Sequence, residues 1–343
     1  MQIQPNRASQ ICQLVSQLSA VCSTIQPAER YSLFPIRDEA TYSYFNRHVA
    51  TVWTNTEMNF HDDREDFDQL PPVQQRMVSL ILAFFSSADG VILNNLAFRF
   101  ILEAETLEER AFYIVQQFME LIHSEGYSLA INSMIGDVDK RNELFEAANH
   151  HPSIIRKNEF MEKYLLSDIE RPYRLVAFAC AEGIFFISAF LFVFWFRSKG
   201  KLPNFIFLNE QVSKDETLHR DFACHLYRKT RGSSIEEAKV LEIVQEAVDI
   251  EVDFVNEVLR EEADDLTREQ SKSYIYRLAN SLLYNLGHSS NYEEGDLPSW
   301  MNDLAMQQKS NLYEVDGGNY RSRGVNNQET QNVSADYDDC TDF

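Results

Sequence analysis

V-S-K-D-E-T-L-H-R-D-F-A, residues 212–223, sets Glu216 and His219 three positions apart. On a helix, residues i and i+3 share a face, so this carboxylate and imidazole project side by side. The same spacing recurs at Glu120 and His123, within M-E-L-I-H-S-E-G-Y, residues 119–127. Spacing alone is weak, because 53 acids and 8 histidines among 343 residues give roughly one such coincidence by chance. The surroundings decide. Two helices that each carry a Glu-x-x-His, joined by one inward acid from each of two further helices, form a dinuclear carboxylate site in a four-helix bundle.

The two further helices can be found. Pro71-Pro72 opens a helix predicted to run to about residue 100, and its apolar stretch M-V-S-L-I-L-A-F-F leads to Asp89 a little past the middle. The helix bearing Glu120 and His123 is announced by a capping box, Thr106-Leu107-Glu108-Glu109. Pro172 begins the most apolar segment, residues 175–196, L-V-A-F-A-C-A-E-G-I-F-F-I-S-A-F-L-F-V-F-W-F, which contains Glu182. That run is long enough to span a bilayer. Against a membrane span stand Glu182 itself, the lack of a second such run, and the acidic surroundings. A helix apolar all round also suits the centre of a large soluble bundle. The helix carrying Glu216 and His219 follows the turn Gly200-Lys201-Leu202-Pro203.

Four helices thus offer Asp89, Glu120 with His123, Glu182, and Glu216 with His219. Four carboxylates balance two divalent ions, and buried charge is tolerated only when paired or metal-bound. Singly, each histidine reads as a satisfied core residue and each acid as a solvated one. Together the six resist that reading, Glu182 most of all. Oxygen-rich ligation with one imidazole per metal suits iron or manganese better than structural zinc. The fold predicted is all-α, a ferritin-like four-helix bundle core with additional helices and a disordered C-terminal tail.

Composition agrees. A chain that is 44% hydrophobic with only 11 glycines and 9 prolines can build long helices round a large core. A net charge of -22 argues against nucleic-acid binding and against an anionic membrane surface. Five cysteines without a pairing motif, and an N-terminus without a signal-peptide run, fit a reducing cytoplasm. The organisation expected is a polar lead-in over residues 1–30 with one short helix near 11–21, the helical domain over 31–306, and a flexible acidic tail over 307–343. Within the domain, residues 42–53 form an aromatic-rich helical segment packed on the core. A polar linker at 137–140 leads to polar helical residues up to Tyr164. Ser234-Ile235-Glu236-Glu237 caps an amphipathic helix, and one more helix lies around 271–286.

Tyr127 lies one turn after His123, on the same face, beside the expected metals. Glu182, Phe186 and Phe190 form an i, i+4, i+8 row, and Val212 lies four before Glu216, so apolar groups could surround that tyrosine and protect an oxidised phenol. Ordinary core packing explains the phenylalanine row equally well.

L-A-F-F-S-S-A-D-G, M-E-L-I-H-S-E-G-Y-S, A-E-G-I-F-F and S-K-D-E-T-L-H-R-D-F-A together resemble the small, radical-generating subunit of class I ribonucleotide reductase, of the eukaryotic and viral type. The likeness covers residues 34–223 and resumes weakly in the tail. It implies Asp89, Glu120, His123, Glu182, Glu216 and His219 as ligands of two iron ions per chain, with manganese as an alternative. It further implies that oxygen activation there oxidises Tyr127 to a stable radical. Trp53, in V-W-T, looks like the radical-transfer tryptophan, linked through Asp215 to His123. Tyr320, in N-Y-R-S-R-G-V, looks like the tail tyrosine that continues the relay. The partner implied is a large subunit that docks the tail and reduces ribonucleoside diphosphates to the deoxyribonucleotides needed for DNA replication, with the small subunit itself a homodimer.

The chain departs from the family outside the six groups. Lys214 stands where Arg is usual and Val212 where Ile is usual, residues 259–265 are unusually acidic, and the end Asp-Cys-Thr-Asp-Phe keeps only acidity and its final Phe343. The chain has no Gly-rich phosphate loop and no cysteine pair for nucleotide reduction, so alone it should not turn over nucleotide. Two rivals stand beside this reading. A ferritin-like di-metal oxidase or storage protein would need the metals but not Trp53, Tyr127 or the tail, and a metal-free scaffolding paralogue should have lost ligands.

Overall fold

Proline and capping residues set where the helices begin. The computed structural model describes residues 31–310 apart from 147–149, 233–234 and 262–264, and every regular element among them is a helix. In order of sequence these are α1 (Glu39–Ala50), α2 (His61–Gln69), α3 (Pro72–Glu103), α4 (Leu107–Met134), α5 (Val138–Phe145), α6 (Pro152–Leu166), α7 (Arg171–Ser198), α8 (Pro203–Thr230), α9 (Glu237–Val258), α10 (Arg268–Leu286) and α11 (Ser299–Ser310). α3, α6, α7 and α8 each start with a proline in the first turn, where its missing N–H leaves no hydrogen bond unmade.

Side chains complete several starts. Thr106 caps α4 by accepting from the Glu109 N–H, but the Glu109 carboxylate turns to the Glu105 N–H and to Arg171, so only half of the expected capping box forms. α9 is preceded by Glu236, which makes no side-chain cap, and Ser234 lies outside the described residues. α8 has Leu202 at its cap position, in the left-handed region at φ 57°. Its first N–H groups are satisfied from α2 instead, Leu202 N–H by Asp66 and Asn204 and Phe205 N–H by Asp63. Two acids at a helix N-terminus also suit its dipole.

α3, α4, α8 and α7 form a closed four-helix bundle, each packed on the next and α7 on α3. Short connections join α3 to α4 and α7 to α8, and a long one through α5 and α6 links the halves, as in ferritin-like bundles. α1 covers α4 and α8, while α9 and α10 cover α7. The expected helices at 72–100, 175–196 and 271–286 are present; the segment at 42–53 is helical only to Ala50, and most of the linker expected at 137–140 is the first turn of α5. α11 is an addition, since the sequence there has no clear period. The helix expected near 11–21, the tail beyond residue 310 and Tyr320 lie outside the described residues.

Two readings change. Two helices, α3 and α7, are long and apolar enough to cross a membrane, where one was expected. The apolar window of α7 is 100% buried and that of α3 61%, as the bundle centre demands of its own helices. α7 is also irregular, widening to a π-turn over Ala181–Phe186, so the simple i, i+4, i+8 row through Glu182 does not hold. Such turns recur at functional sites because they re-aim one side chain.

Candidate metal centre

Each helix of the bundle sends its acids inward, and the six predicted groups are all fully buried. Ligating atoms of Glu120, Glu182, Glu216 and His219 all lie within 4.8 Å of one another. His123 joins through shared carboxylates. Its Nδ1 is 3.4 Å from Glu120 Oε2 and 3.2 Å from Glu216 Oε1, while His219 Nδ1 is 3.0 Å from Glu120 Oε1 and 3.4 Å from Glu216 Oε2. Glu120 and Glu216 therefore each turn one oxygen toward one imidazole and the other oxygen toward the second, which is a bridging arrangement. Asp89 stands beside this cluster, within electrostatic reach of Glu120, His123 and Glu216.

The site is built for cations. Both oxygens of Asp89 and of Glu216, Oε2 of Glu120 and of Glu182, and Nδ1 of His123 and of His219 have no hydrogen-bond partner among the described residues. Buried polar atoms are normally satisfied, so eight orphans facing one point fit two hard, oxygen-preferring ions. Gly183 leaves room for Arg220 of α8: a Cβ there would fall 2.7 Å from Arg220 Cδ, so the buried Arg220 stem would have to shift for any larger residue.

Without ions, protons take their place. Burial, then the charge of Glu120, pushes Asp89 well above the usual carboxylate range, and burial, then Glu216, does the same to Glu182. Burial would also raise Glu120, but His219 and then His123, whose Nδ1 atoms lie 3.0 and 3.4 Å from its oxygens, hold it low. Burial would lower the histidines. Asp215, Glu120 and Glu216 instead push His123 up, and Glu120 leads in pushing His219 up to about 9.

A second layer surrounds the cluster. Trp53, buried in the turn after α1, donates from Nε1 to Asp215 Oδ2 at 2.8 Å, and the same oxygen is 3.0 Å from His123 Nε2. The Trp53 and His123 rings stack at 5.6 Å. Asn55 pins this turn to α4 by donating to the Ile122 carbonyl. Tyr127 is fully buried and donates from its hydroxyl to Asn209 Oδ1 at 3.1 Å. Its ring lies against Phe85 at 4.5 Å, nearly parallel, and Phe190 and Phe186 also pack on Phe85, at 5.3 and 6.0 Å. Burial, then the charge of Asp89, holds the phenol proton in place well beyond its usual range.

Sequence reasoning missed four of these groups. Gln116 donates to Glu182 Oε1 at 2.9 Å, and its place one turn before Glu120 was a readable signal. Asn209 sits on a site helix but in no motif, and Phe85, though inside L-A-F-F-S-S-A-D-G, was read there only as part of an apolar stretch. His48, whose Nε2 is 3.2 Å from His219 Nε2, lies 171 positions away in sequence and gave no signal at all.

Fold and site together define a helical protein with a buried carboxylate–histidine cluster that could hold metal, and with a buried tyrosine and tryptophan beside it. Residues 30–298 match the family described as ribonucleotide reductase, small chain. The sequence is 36% identical over 314 residues to a ribonucleoside-diphosphate reductase small chain of Arabidopsis thaliana, and the match covers 92% of both proteins. It is 34% identical over 309 residues to the small chain of Variola virus, covering 97% of that protein and 90% of this one. The ribonucleotide reductase Rnr4 homodimer of Saccharomyces cerevisiae has the same fold, with a TM-score of 0.71 at 24% identity over 99% of that structure and 88% of this one. The chain belongs to the ribonucleotide reductase small-chain family, and it is the small subunit of an oxidoreductase.

Proposed function

We propose that this small subunit holds two metal ions between Asp89, Glu120, His123, Glu182, Glu216 and His219, iron in the first instance and manganese as the alternative, and stores an oxidising equivalent on Tyr127. The bridging placement of Glu120 and Glu216 between the two imidazoles carries this reading. When bound, such a metal pair supplies oxidation driven by dioxygen. The residues do the rest. Tyr127 would be the residue that this oxidant oxidises, its hydroxyl held by Asn209 Oδ1 and its buried ring covered by Phe85, which keeps water from a radical there. Asp215 fixes the His123 tautomer and ties it to Trp53, the first step of a relay that Tyr320 would continue.

The partner proposed is the large subunit, which reduces ribonucleoside diphosphates and docks the acidic tail, residues 307–343, while residues 31–306 form the metal-binding domain. A homodimer is supported by an exposed stripe on α4, Ile114, Phe118, Leu121 and Leu129, which share one helical face. A reducing cytoplasm is supported by Cys180 and Cys224, which are buried free thiols. A di-metal oxidase would have no use for the Trp53 to His123 link, and a metal-free scaffold none for eight orphaned polar atoms.

The test is metal content and electron paramagnetic resonance of the full-length protein and of Glu182→Gln. The parent should hold two metal ions per subunit and show a tyrosyl signal after iron and air. The variant should lose much of both. Full metal occupancy in the variant, or zinc as the only metal ever bound, would rule the reading out.

A further inference from the structure

His219 turns Nδ1 toward Glu120 and Glu216, so its Nε2 faces out of the cluster. Behind it stands His48 of α1, with the two Nε2 atoms 3.2 Å apart and the rings at 4.8 Å. His48 is fully buried against Phe112, 5.0 Å between rings, and its Nδ1 has no hydrogen-bond partner among the described residues. Its one side-chain hydrogen bond is thus the one to His219. Of two ring nitrogens in contact, one must donate and the other accept. A cation on Nδ1 of neutral His219 leaves the proton on Nε2, so His219 donates, His48 accepts, and His48 keeps its own proton on Nδ1.

We propose that His48 is a positioning residue that fixes the tautomer and orientation of His219 and thereby sets the affinity of the metal subsite served by His219. The arrangement is unequal across the site. Behind His123 the acceptor is a carboxylate, Asp215 Oδ2 at 3.0 Å, whereas behind His219 it is a neutral ring. A carboxylate acceptor makes an imidazole the more basic ligand. The subsite of His123 is therefore the tighter one, and the subsite of His219 fills second and depends on His48.

This inference rests on the two-metal reading, and its test separates the two. Metal-free, full-length preparations of the parent, His48→Phe, His48→Gln and His48→Asp are titrated with manganese(II), with paramagnetic resonance counting free ion and distinguishing an isolated bound ion from a spin-coupled pair. In His48→Phe the first equivalent should bind as in the parent and the second roughly 10- to 100-fold more weakly, as for other lost partners of a ligating histidine. His48→Gln, whose amide oxygen can accept from Nε2, should recover most of that loss. His48→Asp should tighten the second step beyond the parent. A merely structural His48 would move the melting temperature and leave both steps unchanged. Two unchanged steps in His48→Phe, with two ions in the parent, overturn the inference alone; fewer than two ions in the parent overturn the two-metal reading with it. If the Phe variant does not fold, the comparison of Asp with Gln decides, and equal second constants overturn the inference.

Discussion

Replacing Asp215 by Asn keeps the shape of the link between Trp53 and His123 but removes its charge. One oxygen, Oδ2, takes both contacts, 2.8 Å from Trp53 Nε1 and 3.0 Å from His123 Nε2. Burial would raise this acid, but the hydrogen bond and charge of His123 hold it below its ordinary value, so it is ionised at neutral pH. Hydrogen bonds to a charged group contribute about 1.5–3 kcal/mol and neutral ones about 0.5–1.5. The two contacts together should therefore weaken by roughly 2–3 kcal/mol, partly offset because no charge is buried any longer. On metal affinity the loss should be about 10- to 100-fold. Tyr127 donates to Asn209, not to Asp215, so at saturating metal its radical should still form. Nucleotide reduction with the large subunit should fall by on the order of 100-fold or more, the scale of a lost proton-transfer group. Metal analysis, the tyrosyl signal and turnover are measured on the same preparation. Turnover within about twofold of the parent, at full metal and radical content, would refute the relay, because general acid–base and orienting roles do not vanish so cheaply.

Tyr127→Phe should abolish the tyrosyl signal while leaving metal uptake intact, at a cost of about 1–2 kcal/mol for the orphaned Asn209 oxygen; the same signal in the variant would exclude Tyr127. Lys157 is fully buried, its Nζ 2.7 Å from Glu251 Oε2 and 3.6 Å from the Phe254 ring centroid. Lys157→Met should destabilise by about 3–5 kcal/mol in denaturant unfolding, and the double variant with Glu251→Leu should recover most of that; a double variant no better than the single would show that the pair is not the cause. Deleting residues 337–343 should leave metal and radical intact and abolish reduction with the large subunit, with a free peptide of those residues competing in the parent. Normal turnover by the truncated protein would exclude the docking role.

The bundle was legible because its signals are local. Pro71-Pro72, Thr106 and the run at 175–196 announce their helices from within a few residues, and two Glu-x-x-His pairs specify which faces turn inward. What escaped depends on distance or on backbone irregularity. His48 meets His219 only after α1 has folded over α4 and α8, and no periodicity records that. The π-turn at Ala181–Phe186 breaks a 3.6-residue count, and the rings of Phe186 and Phe190 pack on Phe85, which itself stacks on Tyr127. The capping of α8 could not be read locally, because its first N–H groups are met by Asp63 and Asp66 of α2. The α3 helix was expected, but not that it is apolar enough to span a membrane, because Asp89, Asn94 and Asn95 interrupt its apolar run.

Metal removal joins the site to the stability of the whole fold, and pH shows how. In the metal-free protein His219 titrates near 9 against 6.5 when unfolded, because Glu120 outweighs the penalty of burial. Between those values the folded protein holds a proton that the unfolded one has released. Stability from this group is therefore complete below pH 6.5 and is lost as pH rises toward 9, at about 1.4 kcal/mol per unit of displacement. Asp89 and Glu182, raised by burial, also lose stability as pH rises. Glu120, held low, contributes above 4.5 and loses its contribution only in acid, so it does not offset the decline at alkaline pH. Divalent ions replace these protons, and their binding must release them. The chelator-treated protein should melt at progressively lower temperature from pH 6.5 to 9 while the loaded protein holds, and calorimetric heats of metal binding should vary with the ionisation enthalpy of the buffer. Parallel melting curves and buffer-independent heats would mean that Asp89 and Glu182 are already ionised and His219 already neutral without metal, and would refute this reasoning.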